Sequence, residues 1–95
     1  MKTYRLVIST PDGDVWSGEA IMLSVRGVAG ELAVMAGHIP FITAVVACDC
    51  RIELDDETGE AKTLIGHVEG GLLTVNATQT TLLTGGIEWK SETDV

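Results

Sequence analysis

The stretch Tyr4-Arg5-Leu6-Val7-Ile8-Ser9-Thr10-Pro11-Asp12-Gly13 decides the fold. Tyr4, Leu6 and Ile8 alternate with Arg5, Val7 and Ser9, a period of two. Successive side chains on a strand point to opposite faces, so this period predicts a strand with one buried face. The run stops at Thr10-Pro11-Asp12-Gly13, where proline presets φ and glycine accepts a positive one, as a turn requires.

The same grammar continues along the chain. Val15-Trp16, residues 21–25, the apolar run 41–46 and the alternating 51–54 each read as strands. So do 63–65, 68–75 and the β-branched 80–84, with Asn76-Ala77-Thr78 as a turn. The acidic segment Asp55-Asp56-Glu57-Thr58-Gly59-Glu60 reads as a hairpin loop. Gly70-Gly71 falls inside a strand pattern, which implies a bulge or a close approach of two backbones. No segment carries an uninterrupted helical period. The fold predicted is all-β, a sandwich or small barrel of short strands. Its domain spans residues 1–86, followed by a polar tail, 87–95, expected to fray.

Composition narrows the function. Ninety-five residues make one domain with a modest core. The formal net charge is −8, and Lys2, Arg5, Arg26, Arg51, Lys62 and Lys90 are scattered singly. A nucleic-acid backbone is bound by clustered cations that release counterions, so nucleic acid is excluded as a partner. No window has the apolar length of a membrane-spanning helix. The amino terminus reads at once as a strand, not as a targeting peptide, and implies a cytoplasmic chain. Cys48 and Cys50 sit two apart and share a face, with no disulfide or zinc spacing around them, and read as free thiols. Mean hydropathy is slightly positive, a sign of apolar surface covered by a partner.

Chemistry is sparse. The acidic turn at 55–60 offers calcium-type oxygens but lacks the spacing of a calcium loop, and reads as a solvated turn. The segment Gly30-Glu31-Leu32…Gly37-His38-Ile39-Pro40 places a carboxylate and an imidazole seven residues apart among apolar residues. If the loop folded back they would meet, as in an acid-oriented general base. Only Thr43 and Cys48 stand nearby as nucleophiles, so an exposed turn or a partner contact is the stronger reading. Trp16 and Met35 are assigned to the core. Trp89 either docks the tail or sits at an interface.

Thr10-Pro11-Asp12-Gly13…Trp16-Ser17-Gly18, Gly30-Glu31-Leu32, Gly37-His38-Ile39-Pro40, Gly70-Gly71 with Leu73, and residues 75–83 together resemble the epsilon-subunit family of bacterial F-type ATP synthases. The likeness spans nearly the whole chain, in the family's order and spacing. It implies a flattened β-sandwich of about ten short strands. It also implies a non-catalytic stalk subunit without a cofactor, bound to the gamma subunit and touching the polar loops of the c-ring. Ion-driven rotation, by protons or sodium, would pass through that joint at the cytoplasmic face of the membrane, reached only through the complex. Glu31 and His38 match the family's surface positions and are the expected ring and stalk contacts. Ala33, Met35-Ala36 and Cys48 depart from the family's Gly, Leu-Pro and Gly at these places. The family's carboxy-terminal helical pair, with its inhibitory and nucleotide-binding roles, is expected to be absent. A sugar-binding sandwich, a biotinyl-type carrier and a small hydrolase are the alternatives. Few aromatics, no lysine attachment motif and no evident nucleophile weigh against them in turn.

Overall fold

The structure is a computed structural model and describes residues 2–37, 39–55 and 61–94. Ten strands form among these residues, and none of them is helical. The strands are β1 (Tyr4–Thr10), β2 (Gly13–Ala20), β3 (Met22–Gly27), β4 (Gly30–Met35), β5 (Phe41–Val45), β6 (Cys48–Asp55), β7 (Ala61–Val68), β8 (Gly71–Val75), β9 (Gln79–Thr84) and β10 (Ile87–Asp94). The predicted count and class hold. The acidic turn beyond Asp55 lies outside the described residues, so its reading as a solvated loop stays an expectation.

The strands form one hydrogen-bonded sheet in the order β10-β7-β6-β3-β5-β8-β9-β1-β2, with β4 branching from β3. The β1–β9 pairing is parallel, and all the other pairings are antiparallel. Strands twist, so a sheet this wide curls until its halves face each other. The halves meet at a narrow joint. β3 and β5 share one residue pair, Gly27 with Val45, extended by Val28 N–H to Ala44 O at 3.1 Å and Val46 N–H to Arg26 O at 3.0 Å.

The period-two residues of both halves fill the space between them. Leu6 and Ile8 of β1, Leu73 of β8 and Leu82 of β9 are fully buried on one side. Leu23 of β3, Cys50 and Ile52 of β6, and Val68 of β7 face them from the other. Tyr4 spans the gap, and its hydroxyl donates to the Val34 carbonyl of β4 at 2.9 Å. Burial raises the Tyr4 pKa well above the ordinary phenol range, so the hydroxyl keeps its proton and stays a donor.

Two expectations change. Residues 87–94 are not an irregular tail: they form β10, paired along β7. Gly66 makes this possible, because Ile87 and Trp89 lie where its side chain would be, within about 3 Å of the Cβ position. Ile87 and Trp89 thus find a packing surface on β7 in a segment whose composition looked polar. Met35 is not in the core. β4 turns Leu32 and Val34 inward and Glu31, Ala33 and Met35 outward, leaving Met35 54% exposed. Trp16, by contrast, packs against the core as expected. Ala33 and Cys48, where the family resemblance implies glycines, need no special backbone, since among the described residues only glycines have positive φ.

Candidate functional site

Glu31 stands on a strand, not in a loop. β3 and β4 form a hairpin whose register runs unbroken from Met22–Met35 to Gly27–Gly30, with Val28 and Ala29 at its tip. Glu31 is the cross-strand partner of Arg26, and their side chains form an ion pair at 3.2 Å. The Glu31 side chain is 79% exposed and that of Arg26 59%. Such a pair is held in water and adds at most about 1 kcal/mol. His38 lies outside the described residues. Between Glu31 and Met35 the chain is extended, a separation of about 13 Å at the usual rise per residue. Glu31 therefore marks the hairpin end of β4, while the chain leaves toward Gly37 at the other end.

Glu31→Ala is expected to leave the fold intact, with a stability change below about 0.5 kcal/mol, because little but solvent surrounds the carboxylate. Thermal denaturation checks this. A fall in Tm of several degrees would make Glu31 a structural residue.

The outer face of β6, β7 and β10 carries a cluster that sequence spacing did not reveal. Asp49 accepts from Lys90 Nζ at 3.1 Å and lies 3.0 Å from His67 Nδ1. One carboxylate thus ties three neighbouring strands. Lys90 lies two residues beyond Glu88, the β10 partner of His67, and beside a register shift between Trp89 and Ser91. The one available signal was the alternation in Cys48-Asp49-Cys50, which sends Asp49 to the face opposite the cysteines. His67 and Lys90 come from other strands, and only the register places them there.

The His67 hydrogen bond, and then the one from Lys90, hold the Asp49 carboxyl below the ordinary carboxylate range. The folded state therefore binds this proton more weakly than the unfolded chain. The stabilisation is complete above the ordinary carboxylate pKa of about 4 and is lost as pH falls through the folded value. Asp49→Asn should lower Tm at neutral pH, and the gap from the parent should close on acidification below about pH 4. A gap independent of pH would remove the ion pairs from the explanation.

The other half of the sheet has a different outside. Ile42 and Ala44 of β5, Leu72 of β8 and Leu83 of β9 all point outward. Ala44, Leu72 and Leu83 lie in one cross-strand row, and the next row joins Ile42, Thr74, Thr81 and Val7. Ile42 is 66% exposed, and Leu72 and Leu83 are nearly half exposed. Alternation along β5 turns Phe41 toward the core and Ile42 out.

Between the β3–β4 hairpin and β6 the outer surface holds an open groove of about 720 Å³, lined by Arg26, Glu31, Ala33, Cys48, Asp49 and Arg51 among others. It exists because β3 leaves β6 after Ser24: the Arg26 N–H points to Cys48 Sγ, at 3.4 Å, instead of to a carbonyl. Its walls are charged and paired, unlike the enclosed apolar pockets that hold small ligands. Among the described residues no three His, Cys, Asp or Glu are placed to hold a metal. Both cysteines are free, and burial pushes the Cys50 thiol up to about 11, where it is inert.

Residues 3–90 match the family model of the ATP synthase delta/epsilon chain β-sandwich domain. The ATP synthase epsilon chain of Clostridium perfringens is 35% identical over 94 residues, which is 99% of this chain and 68% of that protein. The sodium-ion-specific ATP synthase epsilon chain of Acetobacterium woodii is 34% identical with the same coverage. Among solved structures, a chain of the Euglena gracilis mitochondrial ATP synthase, from an OSCP/F1/c-ring assembly, superposes with a TM-score of 0.79. It shares 19% identity, covering 92% of this chain and 53% of that one. A chain from the central stalk/c-ring assembly of Tetrahymena thermophila gives 0.70 at 11% identity, covering 90% and 66%. At such identities these two likenesses establish the fold.

Proposed function

We propose a coupling role in the central stalk for this chain, which belongs to the ATP synthase delta/epsilon family and is a non-catalytic subunit of that membrane-associated complex. In this reading the apolar rows of β5, β8 and β9 bind the gamma subunit. The polar β3–β4 hairpin with Glu31, together with His38, meets the polar loops of the c-ring at the cytoplasmic face. Rotation driven by protons or sodium passes through the sandwich to gamma, and catalysis occurs elsewhere in the complex.

The observation that carries the reading is the unequal chemistry of the two outer surfaces. A free monomer seldom leaves cross-strand rows of Ile and Leu in water, and such rows bury well against a rotor partner. The charged hairpin suits a wet contact that sets register and passes torque, where ion pairs orient more than they bind. The two solved likenesses come from an F1/c-ring and a central stalk/c-ring assembly, which agrees with this placement.

Native mass spectrometry of the chain with the gamma subunit of the same organism tests the proposal. A one-to-one complex is expected at micromolar concentration. Ile42→Asp should weaken it by about 100-fold, since a charge buried without a partner at an interface centre costs several kcal/mol. Glu31→Ala should leave it unchanged. Absence of a complex, or indifference to Ile42→Asp, would overturn the assignment of this face to gamma.

A further inference from the structure

We propose that the free edge of β4 accepts an extended segment of another chain as an eleventh strand, one in which apolar side chains alternate with basic ones. The inference is independent of the gamma contact on β5, β8 and β9.

The backbone geometry is the first support. The Arg26 N–H points to Cys48 Sγ and its carbonyl accepts from Val46 N–H, so both polar groups of Arg26 face away from β4. In an antiparallel ladder the residue opposite such a position also turns its groups outward, and the pattern repeats every second residue. Glu31, Ala33 and Met35 thus present N–H and C=O along one line, and β4 has a strand on one side only.

The second support is how the sheet treats its other edges. β2 carries Asp14 and Glu19, and its pairing with β1 is broken by a register shift at Ile8/Ser9. β10 has its own shift at Trp89/Ser91 and the exposed charges Glu88 and Lys90. Bulges and charges of this kind stop foreign strands from pairing. β4 has no register shift, Pro or Lys, and its one charge, Glu31, is paired with Arg26. Of these three edges it is the one left most fit for pairing.

The neighbouring side chains define the occupant. Leu32 is only half-buried at the margin of the core, so residues of the new strand on the inner face should be apolar. On the outer face the Glu31 carboxylate is already paired with Arg26, so the charge that favours basic residues and disfavours a second copy is that of the chain as a whole, −8. Main-chain hydrogen bonds would give affinity and the alternation would set register, the usual logic of strand addition.

The test uses the whole chain and the capped peptide Lys-Val-Lys-Val-Lys-Val as probe. Amide hydrogen exchange is followed by NMR without peptide and with peptide at about 1 mM, a range suited to a weak complex. The amides of Glu31, Ala33 and Met35 should slow at least about tenfold, while a peptide N-methylated at alternate residues should have no effect. Ala33→Pro should abolish the protection, and since the Ala33 N–H points outward it breaks no ladder bond. If that variant does not fold, the N-methylated peptide still decides. Unchanged exchange at these amides overturns the proposal. So does protection already present without peptide in a sedimenting dimer, which would make a second copy the occupant.

Discussion

Gly71→Ala is expected to be the most damaging single-atom-group change in the chain. Gly71 opens β8 at φ +148, and a Cβ there would overlap the Leu83 carbonyl oxygen of β9. The obstacle is backbone of the adjacent strand, which cannot rotate away as a side chain could. Backbone strain of this kind costs about 1–3 kcal/mol. Forcing a methyl group into filled space adds about as much again. The sum, about 4 kcal/mol, is a large part of the 5–15 kcal/mol that holds an ordinary domain together. In a chain this short it corresponds to a fall in Tm of roughly 15–30 °C. Gly13→Ala is the control, because Gly13 also has positive φ, +127, but nothing lies within 4 Å of its Cβ position. If thermal denaturation gave equal losses for the two, the conformation and not the close approach would be what requires glycine at 71.

The second large effect separates two neighbours on β8. Leu73 is fully buried between β5 and β9, while Leu72 is 42% exposed on the outer face. Leu73→Ala removes buried methyl groups and leaves a cavity, at a cost of about 2–5 kcal/mol. Leu72→Ala should cost well under half of that, and should instead weaken binding to gamma. Denaturant midpoints and native mass spectra of the two variants report these outcomes separately. Leu72→Ala with full affinity for gamma would remove the apolar rows from the proposed interface. A mild Leu73→Ala would contradict the position of the core.

The strands were legible because their signal is local. Tyr4, Leu6 and Ile8 declare a buried face within seven residues, and Thr10-Pro11-Asp12-Gly13 declares the turn that follows. Where the local signal was diluted, the reading failed. Residues 87–94 look polar in composition, and Ile87 and Trp89, which rest on Gly66, find that surface only on a strand distant in sequence. Hydrophobicity alone points Met35 inward, although the alternation through Leu32 and Val34 already sends it outward.

The candidate site was less legible. Glu31 was found, but as part of a loop. Its placement on β4 beside Arg26 depends on the hairpin register. Asp49, His67 and Lys90 come from three strands, so no spacing in the chain announces that they meet.

By itself, the sequence determined an all-β chain of short strands, its turns, its acidic charge and its family likeness. All of these follow from neighbours within a few residues or from totals over the chain. The tertiary structure alone decided which strands pair, and therefore which face is apolar, which carries ion pairs and which edge is open. Pairing sets these because a shift of one residue in register sends every side chain of a strand to the opposite face. That choice is enforced by packing between strands far apart in the sequence, such as β1 against β9 and β3 against β6.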